Sequence, residues 1–72
     1  MGMKEHDKRF GVTAVEMGFI TVDQLFDAMK IQLKEEIEKQ EHRLLGTILF
    51  EMGVISPPQI DEVLHSMGKK KN

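Results

Sequence analysis

The chain of 72 residues contains no cysteine, which excludes disulfide bonds and thiolate metal sites as sources of stability. No apolar run approaches the ~20 residues that span a bilayer, and the N-terminal MGMKEHDKRF lacks the apolar core of a signal peptide. The formal net charge is only −2, which gives no general attraction to nucleic acid or anionic lipid. We therefore expect one small cytoplasmic domain that does not insert into a membrane.

Motifs of catalysis are missing as well. The sequence has neither a Gly-x-Ser-x-Gly nucleophile elbow nor a phosphate-binding loop. Its histidines are scattered, and Glu38 with His42, at i and i+4, offers at most part of a metal site. A solvated charged face is the preferred interpretation of that pair. We expect no enzymatic activity, no metal site and no cofactor.

The chain does contain an internal repeat. Residues 10–32 and 45–67 align with a shift of 35 and are identical at six of 23 positions, namely Gly11/Gly46, Glu16/Glu51, Met17/Met52, Gly18/Gly53, Ile20/Ile55 and Gln24/Gln59. A repeat indicates one supersecondary unit used twice, which builds a pseudo-symmetric body. Such a body suits a ligand that is itself two-fold.

Each copy carries signals for the end of one helix and the start of the next. Gly18 and Gly53 are placed as left-handed residues just after a helix, and a capping box follows each, formed by Thr21 with Gln24 and by Ser56 with Gln59. The sequence therefore predicts an all-α fold, in which two tandem helix-turn-helix repeats form a small four-helix domain. We divide the single domain 1–72 into repeat one (10–32), a linker or helix extension (33–43), repeat two (45–67) and a frayed tail (68–72).

The second and fourth helices have apolar stripes. One runs to about residue 40 through Val22, Leu25, Phe26, Met29, Leu33 and Ile37, and the other, from Pro57 to about residue 67, is expected to bury Ile60, Val63, Leu64 and Met67. Met17, Met29, Met52 and Met67 are interpreted as core residues. The longer stripe extends past its partner helix, so we expect an apolar interaction surface along Leu33, Ile37 and Leu44.

The positions of the charged residues argue against DNA binding but permit one anion-binding site. Both second helices begin with acids, at Asp23 and Asp27 and at Asp61 and Glu62, which phosphates repel. Lys8, Arg9 and Arg43 instead precede Gly11 and Gly46, where a helix N-terminus and a glycine form a plausible phosphate cradle. The equally weighted alternative is that these two glycines only allow helices to pack closely.

The repeat resembles the 24-residue motif of MshEN domains, which lie at the N-terminus of type II secretion and type IV pilus assembly ATPases. The first copy matches at Arg9, Phe10, Gly11, Ala14, Gly18, Leu25, Met29 and Gln32, and the second at Leu45, Gly46, Leu49, Gly53, Ile60 and Leu64. Leu44 stands where the motif has arginine, with Arg43 one residue earlier, and Met67 stands where it has glutamine.

The resemblance implies a non-catalytic binding module and makes cyclic di-GMP the first candidate ligand, since many MshEN domains bind it. Arg9 would then contact a guanine and Gln32 a base edge, Gly11 and Gly46 would admit the phosphates, and the apolar floor would comprise Phe10, Met29, Leu45 and Leu49. Ala14 and Arg43 complete the candidate site. The alternative is an adaptor of the same fold that binds no nucleotide and contacts a secretion or pilus-type protein, or a second copy as a homodimer.

Overall fold

The computed structural model describes residues 5–69, which form four α-helices and no β-strand. These are α1 (Glu5–Glu16), α2 (Val22–Glu38), α3 (Leu45–Glu51) and α4 (Pro57–Lys69). The prediction of an all-α, small four-helix domain is confirmed. Each predicted repeat corresponds to one helical pair, α1 with α2 and α3 with α4.

The turn inside each repeat is a Schellman motif. The backbone N–H of Phe19 donates to the carbonyl of Ala14 over 3.0 Å, and that of Gly18 donates to Val15 over 2.9 Å. The second repeat forms the equivalent bonds, from Val54 to Leu49 and from Gly53 to Phe50. Gly18 and Gly53 have φ angles of 82° and 80°, so both turns use the left-handed backbone that glycine adopts without steric cost.

A capping box then begins the second helix of each repeat. The backbone N–H of Gln24 donates to the Thr21 hydroxyl over 3.1 Å, and the Gln24 side chain accepts from the Thr21 N–H over 2.9 Å. Ser56 and Gln59 form the same reciprocal pair at the start of α4. Both capping boxes expected from the sequence are therefore present.

Helix α2 ends at Glu38, close to the expected end near residue 40. Gln40 then has a φ of 56°, so the chain turns before α3 and the segment 33–43 is not one continuous helix. As a result His42 does not share a helical face with Glu38, and its Nδ1 lies 3.1 Å from Glu36 Oε2. Helix α4 includes Gly68 and Lys69, where the sequence predicts a frayed tail, and residues 70–72 lie outside the described part.

The helices of the two repeats interlock. Helix α1 packs against α4, α2 packs against α3, and α1 and α3 contact each other in the middle. If α1 and α2 exchange places with α3 and α4, the α1–α4 contact becomes the α3–α2 contact. The packing therefore has the pseudo-two-fold pattern expected from a repeat. The buried core consists of Phe10, Ala14, Ile20, Leu25, Ala28, Leu45, Ile48, Leu49, Ile55, Val63 and Met67.

The apolar stripes are only partly buried. In α2 the core receives Leu25 and Ala28, whereas Val22 and Phe26 are exposed. In α4 Leu64 is exposed, contrary to the prediction that this helix buries it. The apolar surface of these helices is wider than the face that the neighbouring helices cover, so part of it remains outside. Met67 is buried, and the other expected core methionines, Met17, Met29 and Met52, pack half-buried against the core.

Candidate functional site

Asp7 is buried, with 6% of its surface exposed, and it caps a helix of the other repeat. Its Oδ1 accepts a 3.0 Å hydrogen bond from the backbone N–H of Leu45, the first residue of α3. Leu44, at the N-cap position, has no side-chain oxygen for this purpose. Sequence reasoning missed Asp7, although two signals were present: α3 lacks a polar N-cap, and Asp7 shares a helical face with Phe10 and Ala14.

Gln32 joins this capping site to the loop before α3. Its Nε2 donates to Asp7 Oδ2 over 2.6 Å and to the backbone carbonyl of Arg43 over 2.8 Å. A glutamine amide has two N–H groups, and both are used here. The side chain assigned to a base edge by the resemblance therefore positions the α2–α3 loop within the domain.

Arg43 is likewise engaged within the protein. Its guanidinium makes two hydrogen bonds to the Glu35 carboxylate, at 2.6 and 3.0 Å, and a further one to Glu51. The hydrogen bond from Arg43 lowers the pKa of Glu35, and the hydrogen bonds to Glu35 and Glu51 raise the pKa of Arg43. Two carboxylates thus neutralise the cation nearest to Gly46 in the sequence.

Both candidate phosphate-cradle glycines contact a side chain of the opposite repeat, and Gly11 also contacts Leu25 of its own repeat. A Cβ on Gly11 would lie 2.5 Å from Leu25 Cδ1 and 3.3 Å from Leu45 Cδ1. A Cβ on Gly46 would lie 3.2 Å from Phe10 Cζ. Phe10 and Leu45 immediately precede the two glycines, so the contacts are equivalent under the repeat. This geometry supports the alternative that the glycines allow close helix packing.

The remaining candidate ligand residues contribute mainly to the core. Phe10, Ala14, Leu45 and Leu49 are buried, and Met29 is half-buried. Arg9 alone among the candidate ligand residues is exposed. The structure therefore places most of these residues between the packed helices. Other helices cover most of the predicted apolar floor.

The three residues of the predicted interaction surface are exposed to solvent. The exposed fractions are 54% for Leu33, 71% for Ile37 and 59% for Leu44. Leu33 and Ile37 belong to an apolar row on α2, which we call the α2 stripe and which comprises Val22, Phe26, Leu33 and Ile37. Leu44 lies elsewhere, at the edge of a groove.

That groove, called here the α3–α4 groove, has a volume of about 300 Å³. Helices α1, α3 and α4 all contribute to its lining, and its large apolar side chains are Phe10, Leu44, Phe50, Ile60 and Leu64. Leu44, Phe50 and Leu64 are among the exposed large hydrophobic residues of the domain. Gly46 and Thr47 line the part that belongs to the start of α3.

The described residues show no metal cluster and no membrane-spanning helix. Within residues 5–69, no three histidine, aspartate or glutamate side chains are grouped as metal ligands. None of the helices α1 to α4 combines the length and the hydropathy needed to cross a bilayer. A second depression, lined by Met17, Asp61, Glu62, His65 and Ser66, is open to solvent.

Comparison with known proteins identifies no relative. No protein-family profile matches the chain, and no curated protein or solved structure matches it at a significant level.

Proposed function

We propose that the protein is a non-catalytic helical module that binds another protein, and that its α3–α4 groove receives the apolar face of a partner helix. The observation that carries this proposal is the clustering of exposed apolar residues. Eight large hydrophobic residues are exposed within residues 6–68, and seven of them belong either to the groove or to the α2 stripe, with Val12 as the eighth. Exposed apolar residues grouped in this way are typical of interaction surfaces, whereas scattered ones are not.

The chemistry of the groove favours a helix over a nucleotide. Its large exposed apolar side chains are Leu44, Phe50 and Leu64, and no lysine or arginine of the described residues lines it. A nucleotide phosphate would need a cation, and Arg43 is already bound to Glu35 and Glu51. An amphipathic helix inserts apolar side chains into a groove of this kind and leaves its polar face in water.

Cyclic di-GMP is the second candidate, and one feature of the groove favours it. The groove reaches Phe10 and Gly46, two residues that the MshEN resemblance assigns to the ligand. Its volume is at the lower end of the range for small-molecule pockets, roughly 300–1,000 Å³. In this alternative the exposed Arg9 supplies the cation that the groove itself lacks.

Site-specific photo-cross-linking tests the protein-binding proposal. A photoreactive amino acid at Leu64 should capture a discrete partner in cells that make the protein, whereas one at Glu62 should not. Glu62 is the matched control because it is two residues away and so projects from the other side of α4. Phe50→Asp should abolish the capture, since it places a charge in the groove. Equal capture from Leu64 and Glu62 would contradict the proposal.

The captured protein must also have the predicted chemistry. A synthetic peptide of its amphipathic helix should bind the domain saturably and shift the NMR signals of Phe50 and Leu64.

Calorimetry with cyclic di-GMP, with GTP and cyclic di-AMP as controls, tests the second candidate. Saturable binding that is lost in Thr47→Trp, which fills the groove, and in Arg9→Ala would establish a nucleotide receptor instead.

A further inference from the structure

The α2 stripe is a straight apolar row on a helix face that the domain does not cover. Val22, Phe26, Leu33 and Ile37 fall within an arc of about 60°, and the row is about 22 Å long at 1.5 Å per residue. Its centre lies about 120° around the helix from the face that carries Leu25 and Ala28 into the core. Half-buried Met29 lies at the middle of the row, on its edge nearest the core.

Charged residues lie along one border of the α2 stripe, with the acidic ones before the basic ones. Asp23 and Asp27 lie in the N-terminal half of the helix, and Lys30 and Lys34 lie in the C-terminal half. All four are exposed, and none forms a salt bridge with the side chains described by the structure. The border is therefore acidic at one end and basic at the other.

We propose that a second copy of this chain covers the α2 stripe, with its own α2 antiparallel to the first and a two-fold axis passing close to Met29. In this register Val22 lies against the partner's Ile37, and Phe26 lies against the partner's Leu33. Met29 meets the partner's Met29 at the axis. A two-fold interface repeats every contact, so one self-complementary row is sufficient.

The charge order selects this orientation. Antiparallel packing places Asp23 beside the partner's Lys34 and Asp27 beside the partner's Lys30, and the two-fold axis doubles both pairs. Parallel packing would place the charged border against the other border of the stripe, which carries Leu25 and Glu36 and adjoins the domain core. Charge complementarity of this kind sets the register and orientation of paired helices. This surface is separate from the α3–α4 groove, so the proposal goes beyond the proposed function.

Analytical ultracentrifugation over a wide concentration range tests the association. We expect a monomer–dimer equilibrium, with a dimer Kd raised at least tenfold in Phe26→Asp, a substitution at an exposed position. Phe50→Asp, in the groove, is the matched control and should leave the dimer Kd unchanged. A wild-type monomer at every concentration, or a dimer that Phe26→Asp does not weaken, would overturn the pairing. If the protein does not dimerise, the cross-linking expected at Leu64 is unchanged, so the two proposals can fail independently.

Single cysteines test the orientation, since the chain has none of its own. Met29→Cys should form a disulfide-linked dimer under mild oxidation, because the two sulfur atoms meet at the axis. Ile37→Cys should not, since the two copies of that position lie about 24 Å apart in antiparallel packing and a disulfide needs Cα atoms within about 7 Å. Efficient linkage of both variants would indicate parallel helices and overturn the register.

A charge exchange tests the ion pairs themselves. Asp27→Lys and Lys30→Asp should each weaken the dimer severalfold, because each places like charges opposite one another. The double variant Asp27→Lys/Lys30→Asp should recover the wild-type Kd, since it restores opposite charges across the axis. Circular dichroism of the monomer separates this effect from a change in helix content. No recovery in the double variant would refute the assigned pairs.

Discussion

Asp7 caps the helix that begins at Leu45, 38 positions later, through a hydrogen bond of 3.0 Å from the Leu45 N–H. Helix α3 has seven residues, and helices of that length are not stable alone in water. Its first turn therefore depends on an acceptor supplied by the other repeat. Gln32 donates to the same carboxylate, so one buried side chain connects α1, α2 and α3.

Replacing Asp7 by alanine should lower the free energy of unfolding by about 1–3 kcal/mol, because the buried N–H of Leu45 would lose its acceptor. Asp7→Asn keeps one side-chain oxygen and should cost less. Urea unfolding measures both, and the exposed Lys8→Ala should stay within about 0.5 kcal/mol of the wild type. Wild-type stability of Asp7→Ala would show that the cap contributes nothing.

Alanine at Gly11 should destabilise the domain by about 1–3 kcal/mol, since its Cβ would overlap Leu25 and crowd Leu45 in a packed core. Gly68 provides the matched control, because it is also helical but a Cβ at that position would contact nothing beyond its neighbouring residues and its own helix backbone. Gly68→Ala should stabilise by up to about 1 kcal/mol through higher helix propensity. Similar effects at the two glycines, measured by thermal unfolding, would refute the packing role of Gly11.

Gly18→Ala and Gly53→Ala should each cost about 1–2 kcal/mol, because both residues have positive φ and an L side chain is strained there. The space around them is open, so the loss comes from the backbone alone. Gly18→Asn should lose less, since asparagine tolerates the left-handed region. If alanine and asparagine proved equal to glycine in urea unfolding, the two Schellman turns would not require the left-handed residue.

The Glu35–Arg43 pair should make stability depend on acidity. Arg43 holds the pKa of Glu35 below its ordinary value of 4.5. The ion pair therefore stabilises the fold fully at pH values above 4.5, and this stabilisation is lost as the pH falls through the lower pKa of Glu35 in the folded state. Glu35→Gln should therefore reduce the fall in unfolding free energy between about pH 5 and about pH 3.

Arg43→Met should remove the same part of the pH dependence, because Arg43 causes the pKa shift in Glu35. Urea unfolding at several pH values compares the two variants with the wild type. An unchanged pH dependence in Glu35→Gln would show that the ion pair does not stabilise the fold.

Local sequence signals determined the helices and the turns between them. The Schellman turns at Gly18 and Gly53 and the capping boxes at Thr21 and Ser56 all join residues three to five positions apart. Such bonds depend on residue type and spacing alone, so the repeat could be interpreted before any tertiary contact was known. An exposed apolar surface at Leu33, Ile37 and Leu44 was also predicted, and all three residues are exposed, although only Leu33 and Ile37 lie on α2.

Tertiary packing decided the roles of the polar residues and the face of each helix that is buried. Gln32 and Arg43 are candidate ligand residues, and the sequence could not show that they also bind Asp7, Glu35 and Glu51 within the domain. Val22 and Leu25 looked alike in the apolar pattern of α2, and only the positions of α1 and α3 left one exposed and buried the other. Helical periodicity shows which residues share a face, whereas burial depends on where the chain returns to cover it.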